Sequence, residues 1–142
     1  MCLIKRITKK QYKDLTKLKT VKLQYEYIIH NIFEVAETDI LVYKKLIREN
    51  NLTPYQYYKI EKNTHYYQKG RKFTFNFYKW FGRYRLEIYE GLHSLINITN
   101  MWSHTSIKRV KAIIPKGSLY LKGEENDIVS DNLIFYDLKP VK

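Results

Sequence analysis

The sequence predicts one small α+β domain, in which an amino-terminal helix packs on a mostly antiparallel, hairpin-rich sheet. A chain of 142 residues has room for a single hydrophobic core, so we assign residues 1–142 to one domain. Residues 1–38 are basic and show helical periodicity, whereas residues 39–138 contain short β-branched and aromatic runs separated by turn residues. These observations predict a basic helical segment followed by a mixed sheet core.

The formal net charge of +12, from 26 lysines and arginines against 14 acids, predicts an acidic partner. The positive charge is concentrated in residues 1–22 and 59–85, and residues 124–142 are acidic. Such a field attracts polyanions such as nucleic acids, or acidic protein surfaces. The single cysteine, Cys2, excludes an internal disulfide, and no apolar run is long enough to span a bilayer. We therefore expect a reducing compartment and no membrane partner.

An amphipathic helix is predicted from Thr8, because apolar residues recur at three-residue spacing from Tyr12 to Leu18 with lysines between them. From Val21 the pattern fits two structures, since apolar residues alternate as in a strand and also line one face of a continued helix. We predict a helix through Val35. Its lysines either coat a surface helix, which is the interpretation we favour, or form a basic arm that contacts phosphate.

The clearest strands are predicted by β-branched or alternating runs in the middle of the chain. Residues 40–47, ILVYKKLI, form the predicted first core strand. The phenylalanines of residues 73–77 alternate with polar residues, so one face of this strand packs and the other meets solvent or a partner. Residues 80–83 then supply a turn, and a second alternating strand over residues 84–88 completes a hairpin.

In the last third of the chain, the sequence predicts short secondary-structure elements and turns next to buried strands. Gly91 permits a positive φ angle or a close backbone approach. A short helix is predicted over residues 96–106 and a buried strand over residues 110–115, where Pro115 suits a strand end. The remaining predicted elements are a turn at 116–118, an extended piece at 119–121, an acidic loop at 123–127 and closing strands at 128–129 and 133–136.

Cations interleave with aromatic residues between Tyr55 and Tyr89, as a single-strand nucleic-acid platform requires, because rings stack on bases and cations follow the phosphates. The competing interpretation is that one face of rings builds the core of a hairpin-rich domain. No phosphate loop, dinucleotide fingerprint or metal-ligand spacing occurs, so we predict no cofactor and no metal. The candidate residues for binding nucleic acid or another partner are Lys69, Arg71, Lys72, Lys79, Trp80, Arg83 and Arg85.

Five segments of the chain are distinctive: MCLI at 1–4, DILVYK at 39–44, GLHS at 91–94, IPKGSLY at 114–120 and VSD at 129–131. They resemble segments of a family of uncharacterised proteins of bacteriophages and prophages. Apart from MCLI, the resemblance covers about residues 39–136, is specific in its last third, and does not extend to the basic segment from Thr8 to Val35. It implies a phage-encoded accessory protein in the host cytoplasm or in the virion.

The order of these elements also resembles the ADP-ribosyltransferase fold, and this resemblance implies a candidate catalytic set. In that fold a Gly-aromatic-His-Ser strand precedes a helix, a further strand and an acidic residue that orients the nicotinamide ribose of NAD. At the matching positions this chain has His93, Ser94, Glu124, Glu125 and Asp127. The usual Glu-x-Glu spacing is absent and the aspartate is a shorter acid, which implies a degenerate, non-catalytic relative rather than an active transferase.

Three functions remain open from the sequence. The first is a small accessory protein that binds an acidic macromolecule, either a host protein or a nucleic acid, and counteracts a host defence. The second is a minor virion component that contacts DNA or the capsid. The third is an NAD-using transferase or its degenerate relative. We rank binding first and lean against enzymatic activity, because no catalytic residue set is better supported than a structural role for the same residues.

Overall fold

The computed structural model describes residues 3–53, 60, 65–66, 73–98 and 106–141. These residues form two helices and eleven strands, and the strands pair antiparallel in two sheets. The predicted α+β fold, with an amino-terminal helix packed on a sheet, is thereby confirmed. Within the described part of the chain, no helix is long and apolar enough to cross a membrane.

Both helices lie near the amino terminus, α1 at Lys9–Lys17 and α2 at Val21–Asn31. The strands, in chain order, are β1 Leu3–Ile7, β2 Glu34–Val35, β3 Ile40–Ile47, β4 His65–Tyr66, β5 Thr74–Trp80, β6 Arg83–Glu90, β7 Leu92–Leu95, β8 Ile107–Ile114, β9 Leu119–Lys122, β10 Asp127–Ser130 and β11 Leu133–Ile134.

Three strands, in the order β1-β6-β5, form what we call the small sheet. The predicted hairpin is confirmed, since β5 and β6 pair antiparallel through a two-residue turn between Trp80 and Arg83. The sequence predicts no strand at β1, which nevertheless pairs with β6 over its whole length. Its sequence, LIKRI, contains two adjacent cations, which interrupt the alternation that marks the other strands.

The other eight strands form the large sheet, in the order β2-β9-β10-β7-β3-β8-β11-β4. The predicted strand at 40–47 is confirmed with the same bounds as β3, and it faces β8 over all eight residues. The predicted turn after Pro115 is also present, with Gly117 at a φ of 90° and the Ser118 amide donating to the Pro115 carbonyl (3.1 Å). Most of the helix predicted over residues 96–106 falls outside the described residues.

The prediction of one helix through Val35 is wrong, because the chain leaves the helical conformation twice. Leu18, after α1, is extended, and Thr20 starts α2 because its side chain accepts a hydrogen bond from the Leu23 amide (3.1 Å). A threonine that caps a new helix competes with continuation of the preceding one. Val35 then lies in β2, which pairs with β9, so residues 1–38 contribute two strands as well as two helices.

Two hydrophobic cores lie on opposite faces of the large sheet. The first core, which includes Leu15 and Val129, joins the helices and the small sheet to β9 and β10. The second core, which includes Val42, Val110 and Ile128, lies against β3, β8 and the other face of β10. Successive residues of a strand point to opposite faces, so β10 separates the two cores and contributes a side chain to each.

Gly91 carries the chain from the small sheet into the large sheet, because it lies between β6 and β7. Its φ of 146° belongs to a region that favours glycine. A Cβ at this position would lie 2.5 Å from Cγ2 of Val129 and 2.7 Å from Cδ1 of Phe73. The close backbone approach predicted for this glycine is therefore present, and it allows both sheets to pack on the first core.

Replacing Gly91 with alanine is expected to destabilise the fold by about 3 kcal/mol, because overpacking adds to backbone strain. Urea unfolding monitored by circular dichroism measures the loss. The matched control is Gly117→Ala, since Gly117 also has a positive φ but a Cβ there would meet nothing within 4 Å. Equal destabilisation by the two variants would contradict a role for close packing at Gly91.

Candidate functional site

The candidate binding residues divide between described and undescribed parts of the chain. Lys69, Arg71 and Lys72 lie outside the described residues. The other four all lie next to the turn between β5 and β6, and they are Lys79, Trp80, Arg83 and Arg85.

The phenylalanines of β5 and the rings at its end have different surroundings. Phe75 and Phe77 pack against the first core, together with Phe73 just before the strand. Trp80 is 52% exposed, and Phe81, in the turn, is 84% exposed. The predicted alternation is confirmed, and the phenylalanines of the strand build the core, whereas the exposed rings lie at the turn.

The turn between β5 and β6 has an unusual backbone for its sequence. Its two central residues, Phe81 and Gly82, have φ angles of 48° and 74°, as a type I′ turn requires. Asparagine, aspartate and glycine adopt such angles readily, whereas a bulky residue there is an outlier. The sequence therefore places an exposed phenyl ring where the backbone favours asparagine or glycine, and such strain motivates a functional role.

Three arginines share the solvent face of the small sheet. Arg6 of β1 lies directly opposite Arg85 of β6, and Arg83 is two residues from Arg85 on the same face. Arg6 and Arg83 are exposed, whereas the guanidinium carbon of Arg85 lies 5.0 Å from the centre of the Trp80 ring. Like charges that face each other across paired strands repel, so this face carries a positive potential.

Glu87 is the carboxylate on this face among the described residues, and two tyrosines bind it. The Tyr78 hydroxyl donates to one Glu87 oxygen (2.8 Å), and the Tyr89 hydroxyl donates to the other. The pKa of Tyr78 is raised, first because its hydroxyl bonds to Glu87 and then because of burial. The two oxygens of Glu87 are thus engaged by tyrosines, and the three arginines outnumber this single acid.

Helix α1 lies at the same end of the small sheet. The Tyr12 ring packs 4.9 Å from the Tyr84 ring, and Lys79 places its Nζ 5.7 Å from the centre of the same ring. The helix begins just after β1 with exposed Lys9 and Lys10, and its first turn contains no acid. We call this end of the small sheet the basic tip, and it comprises Arg6, Lys79, Trp80, Phe81, Arg83 and Arg85.

The structure distributes the transferase-like residues over both faces of the large sheet and the loop between β9 and β10. His93 and Ser94 are neighbours in β7, so their side chains point to opposite faces of the large sheet. Ser94 is buried opposite Ile128 on the face of the second core, whereas His93 lies opposite Val129 on the other face. This His-Ser pair therefore does not present both side chains to one ligand.

The acidic residues of that set belong to the loop between β9 and β10. Glu124 and Glu125 are exposed there, and the Glu124 amide donates to the Ile4 carbonyl (2.8 Å). Burial raises the pKa of Asp127, and this shift is opposed by hydrogen bonds from its own amide and from that of Glu125. Asp127 pairs with Leu95 and therefore lies on the sheet face opposite to Ser94. Asp127 therefore shares the sheet face of His93, whereas Ser94 lies on the other face.

Lys44 is a candidate functional residue that the sequence-based prediction omits. It lies on the core-facing side of β3, between Val42 and Leu46, and its Nζ donates to the His93 carbonyl (2.5 Å). Part of the side chain reaches the surface, but the ammonium is surrounded by protein, and burial lowers its pKa to about 8. The sequence itself could have indicated Lys44. In the strand ILVYKKLI, alternation places residue 44 on the side that faces the core, where a lysine is unusual.

His93 is held in one tautomer beside this lysine. The Tyr89 carbonyl can only accept, so the Nε2 of His93 carries the proton in their 3.1 Å hydrogen bond. Burial lowers the pKa of His93 to about 4, the bond to Tyr89 opposes this shift, and the charge of Lys44 adds to it. At neutral pH His93 is therefore an uncharged hydrogen-bond donor within the fold.

Among the described residues, no group of three or more His, Cys, Asp or Glu side chains is arranged to hold a metal ion. The chain was compared with protein-family models, curated proteins and solved structures, and none of them matches. Function must therefore be inferred from the site itself, and the basic tip combines exposed rings, cations and an unusual backbone.

Lowering the pH is expected to destabilise the protein through His93. Its pKa of about 4 in the folded protein lies below the ordinary value of 6.5, so the unfolded chain binds the proton more readily. The effect is absent well above pH 6.5 and grows as the pH falls toward 4. It amounts to about 2 kcal/mol between pH 7 and pH 5.

The His93→Gln variant is expected to lose this part of the pH dependence, because glutamine retains a donor for the Tyr89 carbonyl but does not titrate. Urea unfolding at both pH values measures the difference. The matched control is His30→Gln, which makes the same substitution at an exposed position of α2, and both variants are compared with the wild type. An unchanged pH dependence in His93→Gln would show that another group is responsible.

Proposed function

We propose that this protein binds a nucleic acid through the basic tip. The observation that carries the proposal is the placement of Arg6 opposite Arg85, with Arg83 beside them, on one face of the small sheet. Like charges held across a strand pair raise the free energy of the unbound protein, and a bound polyanion relieves this repulsion. The charge of the tip is therefore complementary to a row of phosphates.

Arginine suits a phosphate partner because its planar guanidinium donates two parallel hydrogen bonds to phosphate oxygens. Arg6 and Arg83 are exposed, so their donors are accessible, whereas Arg85 is held against the Trp80 ring. In this proposal two arginines contact the nucleic-acid backbone and the third fixes the ring beside them. The net charge of +12 adds long-range attraction to the encounter.

An acidic protein surface is the second candidate partner, because carboxylates also pair with guanidinium groups. The exposed rings of Trp80 and Phe81 favour a nucleic acid, since bases offer flat stacking surfaces next to each phosphate. The resemblance to phage proteins adds a proposed context. The protein would act as an accessory factor in the host cytoplasm or as a component of the virion.

Neutralising Arg6 and Arg83 together is expected to weaken nucleic-acid binding and to reduce its salt dependence. Each phosphate contact that is lost lowers the slope of log affinity against log salt concentration by about 0.7 to 0.9. Fluorescence anisotropy with a labelled DNA strand and with its duplex, at several potassium chloride concentrations, measures affinity and slope for the wild type and for Arg6→Gln/Arg83→Gln.

The matched control is Lys116→Gln/Lys139→Gln, which removes the same net charge from exposed positions outside the basic tip. This control should keep the wild-type slope. Equal reduction of the slope by both double variants would assign binding to net charge rather than to the tip. Failure of the wild type to bind either DNA at low salt would refute the proposal and favour an acidic protein partner.

A further inference from the structure

The turn of the basic tip combines an unfavourable backbone conformation with two exposed rings. Phe81 has a φ of 48°, which asparagine and glycine adopt more readily, and most of its side chain is exposed. The hairpin register does not require a ring there, because Phe81 lies beyond the last paired residues, Trp80 and Arg83. The ring therefore costs folding free energy without a packing gain in the core, as is typical of residues that serve binding.

We propose that Phe81 and Trp80 form a stacking pair for unpaired bases, which makes the basic tip selective for single-stranded nucleic acid. This inference rests on the proposed function and adds to it the form of the ligand.

The two rings are arranged for this role. Their centroids lie 4.5 Å apart and their planes are inclined by 63°, so the rings meet edge to face. The guanidinium of Arg85 also covers the Trp80 ring. Trp80 is fixed by both neighbours, and Phe81 presents its ring to solvent at the end of the hairpin. A ring that is held by such contacts, as Trp80 is, loses little conformational freedom when a base stacks on it.

Charge and stacking favour different forms of nucleic acid. Duplex DNA carries one phosphate charge per about 1.7 Å of axis, a higher density than a single strand, so the arginines alone favour the duplex. The rings cannot reach the faces of bases that are stacked within a duplex, but they can stack on unpaired bases. A preference for single strands must therefore come from Phe81 and Trp80.

The Phe81→Asn variant separates these contributions, because asparagine suits the position before Gly82 and has no ring to stack. Anisotropy is measured with a DNA single strand, a strand of the same length containing abasic positions, and a duplex. We expect the wild type to bind the intact strand more tightly than the abasic strand. Phe81→Asn should bind the intact strand about 5- to 100-fold more weakly, with unchanged affinity for the other two DNAs.

The melting temperature separates loss of binding from loss of folding. Phe81→Asn is expected to raise Tm by about 3 °C, since it relieves the strain of the turn. The matched control is Tyr136→Asn, which removes a ring that is 55% exposed outside the basic tip and should leave DNA binding unchanged.

Several results would overturn the inference. If the wild type binds intact and abasic strands equally, with a salt slope that depends on Arg6 and Arg83, the proposed function stands and the stacking role does not. If Phe81→Asn lowers Tm and weakens binding of all three DNAs equally, the ring serves the fold. If no DNA binds and anionic phospholipid vesicles bind in a Phe81-dependent manner, the tip meets a membrane surface and both proposals are wrong.

Discussion

Both hydrophobic cores depend on the burial of β10 on its two faces. Ile128 and Val129 are each fully buried, although their side chains point in opposite directions. Ile128 belongs to the second core together with residues of β3 and β8, and Val129 belongs to the first core together with residues of the helices and the small sheet. A strand buried on both faces needs apolar residues at successive positions, unlike the alternation of a half-exposed strand. This short segment therefore couples the small sheet to the large one, and a polar residue at either position would disrupt a core.

The basic tip is connected to this buried strand by β6. That strand begins at the tip with Arg83 and ends next to Gly91, whose backbone lies against Val129. A site built on a strand that is anchored in a core is held more firmly than one on a free loop. The arrangement also explains how the turn tolerates an unfavourable residue such as Phe81. The hairpin is stabilised by its phenylalanines, which pack on the first core, and by the close packing at Gly91 at its other end, rather than by the turn.

Sequence patterns predicted the elements that are determined by a few neighbouring residues. Strand β3 and the β5–β6 hairpin were predicted from β-branched and alternating runs. Such runs can be recognised without knowing which strand pairs with them. The start of α2 at Thr20 and the pairing of β1 were missed, because the first depends on a single cap and the second on a strand far along the chain. At the site, interleaved rings and cations indicated Trp80 and Arg83. Arg6 lies near them only because β1 pairs with β6, which the sequence pattern did not predict. The positive φ angle of Phe81 cannot be predicted from hydrophobic periodicity.

The pairing of β1 with β6 also has a consequence for the synthesis of the chain. Leu3 lies opposite Ile88, so the strand that contains Leu3 leaves the ribosome long before its partner exists. Helices α1 and α2 depend on local contacts and can form in the interval, but the first core cannot close before β6 has been made, and β9 and β10 complete it later. In a nascent chain the apolar residues of β1 are therefore exposed to chaperones. Arg6 reaches the basic tip only when translation has passed β6.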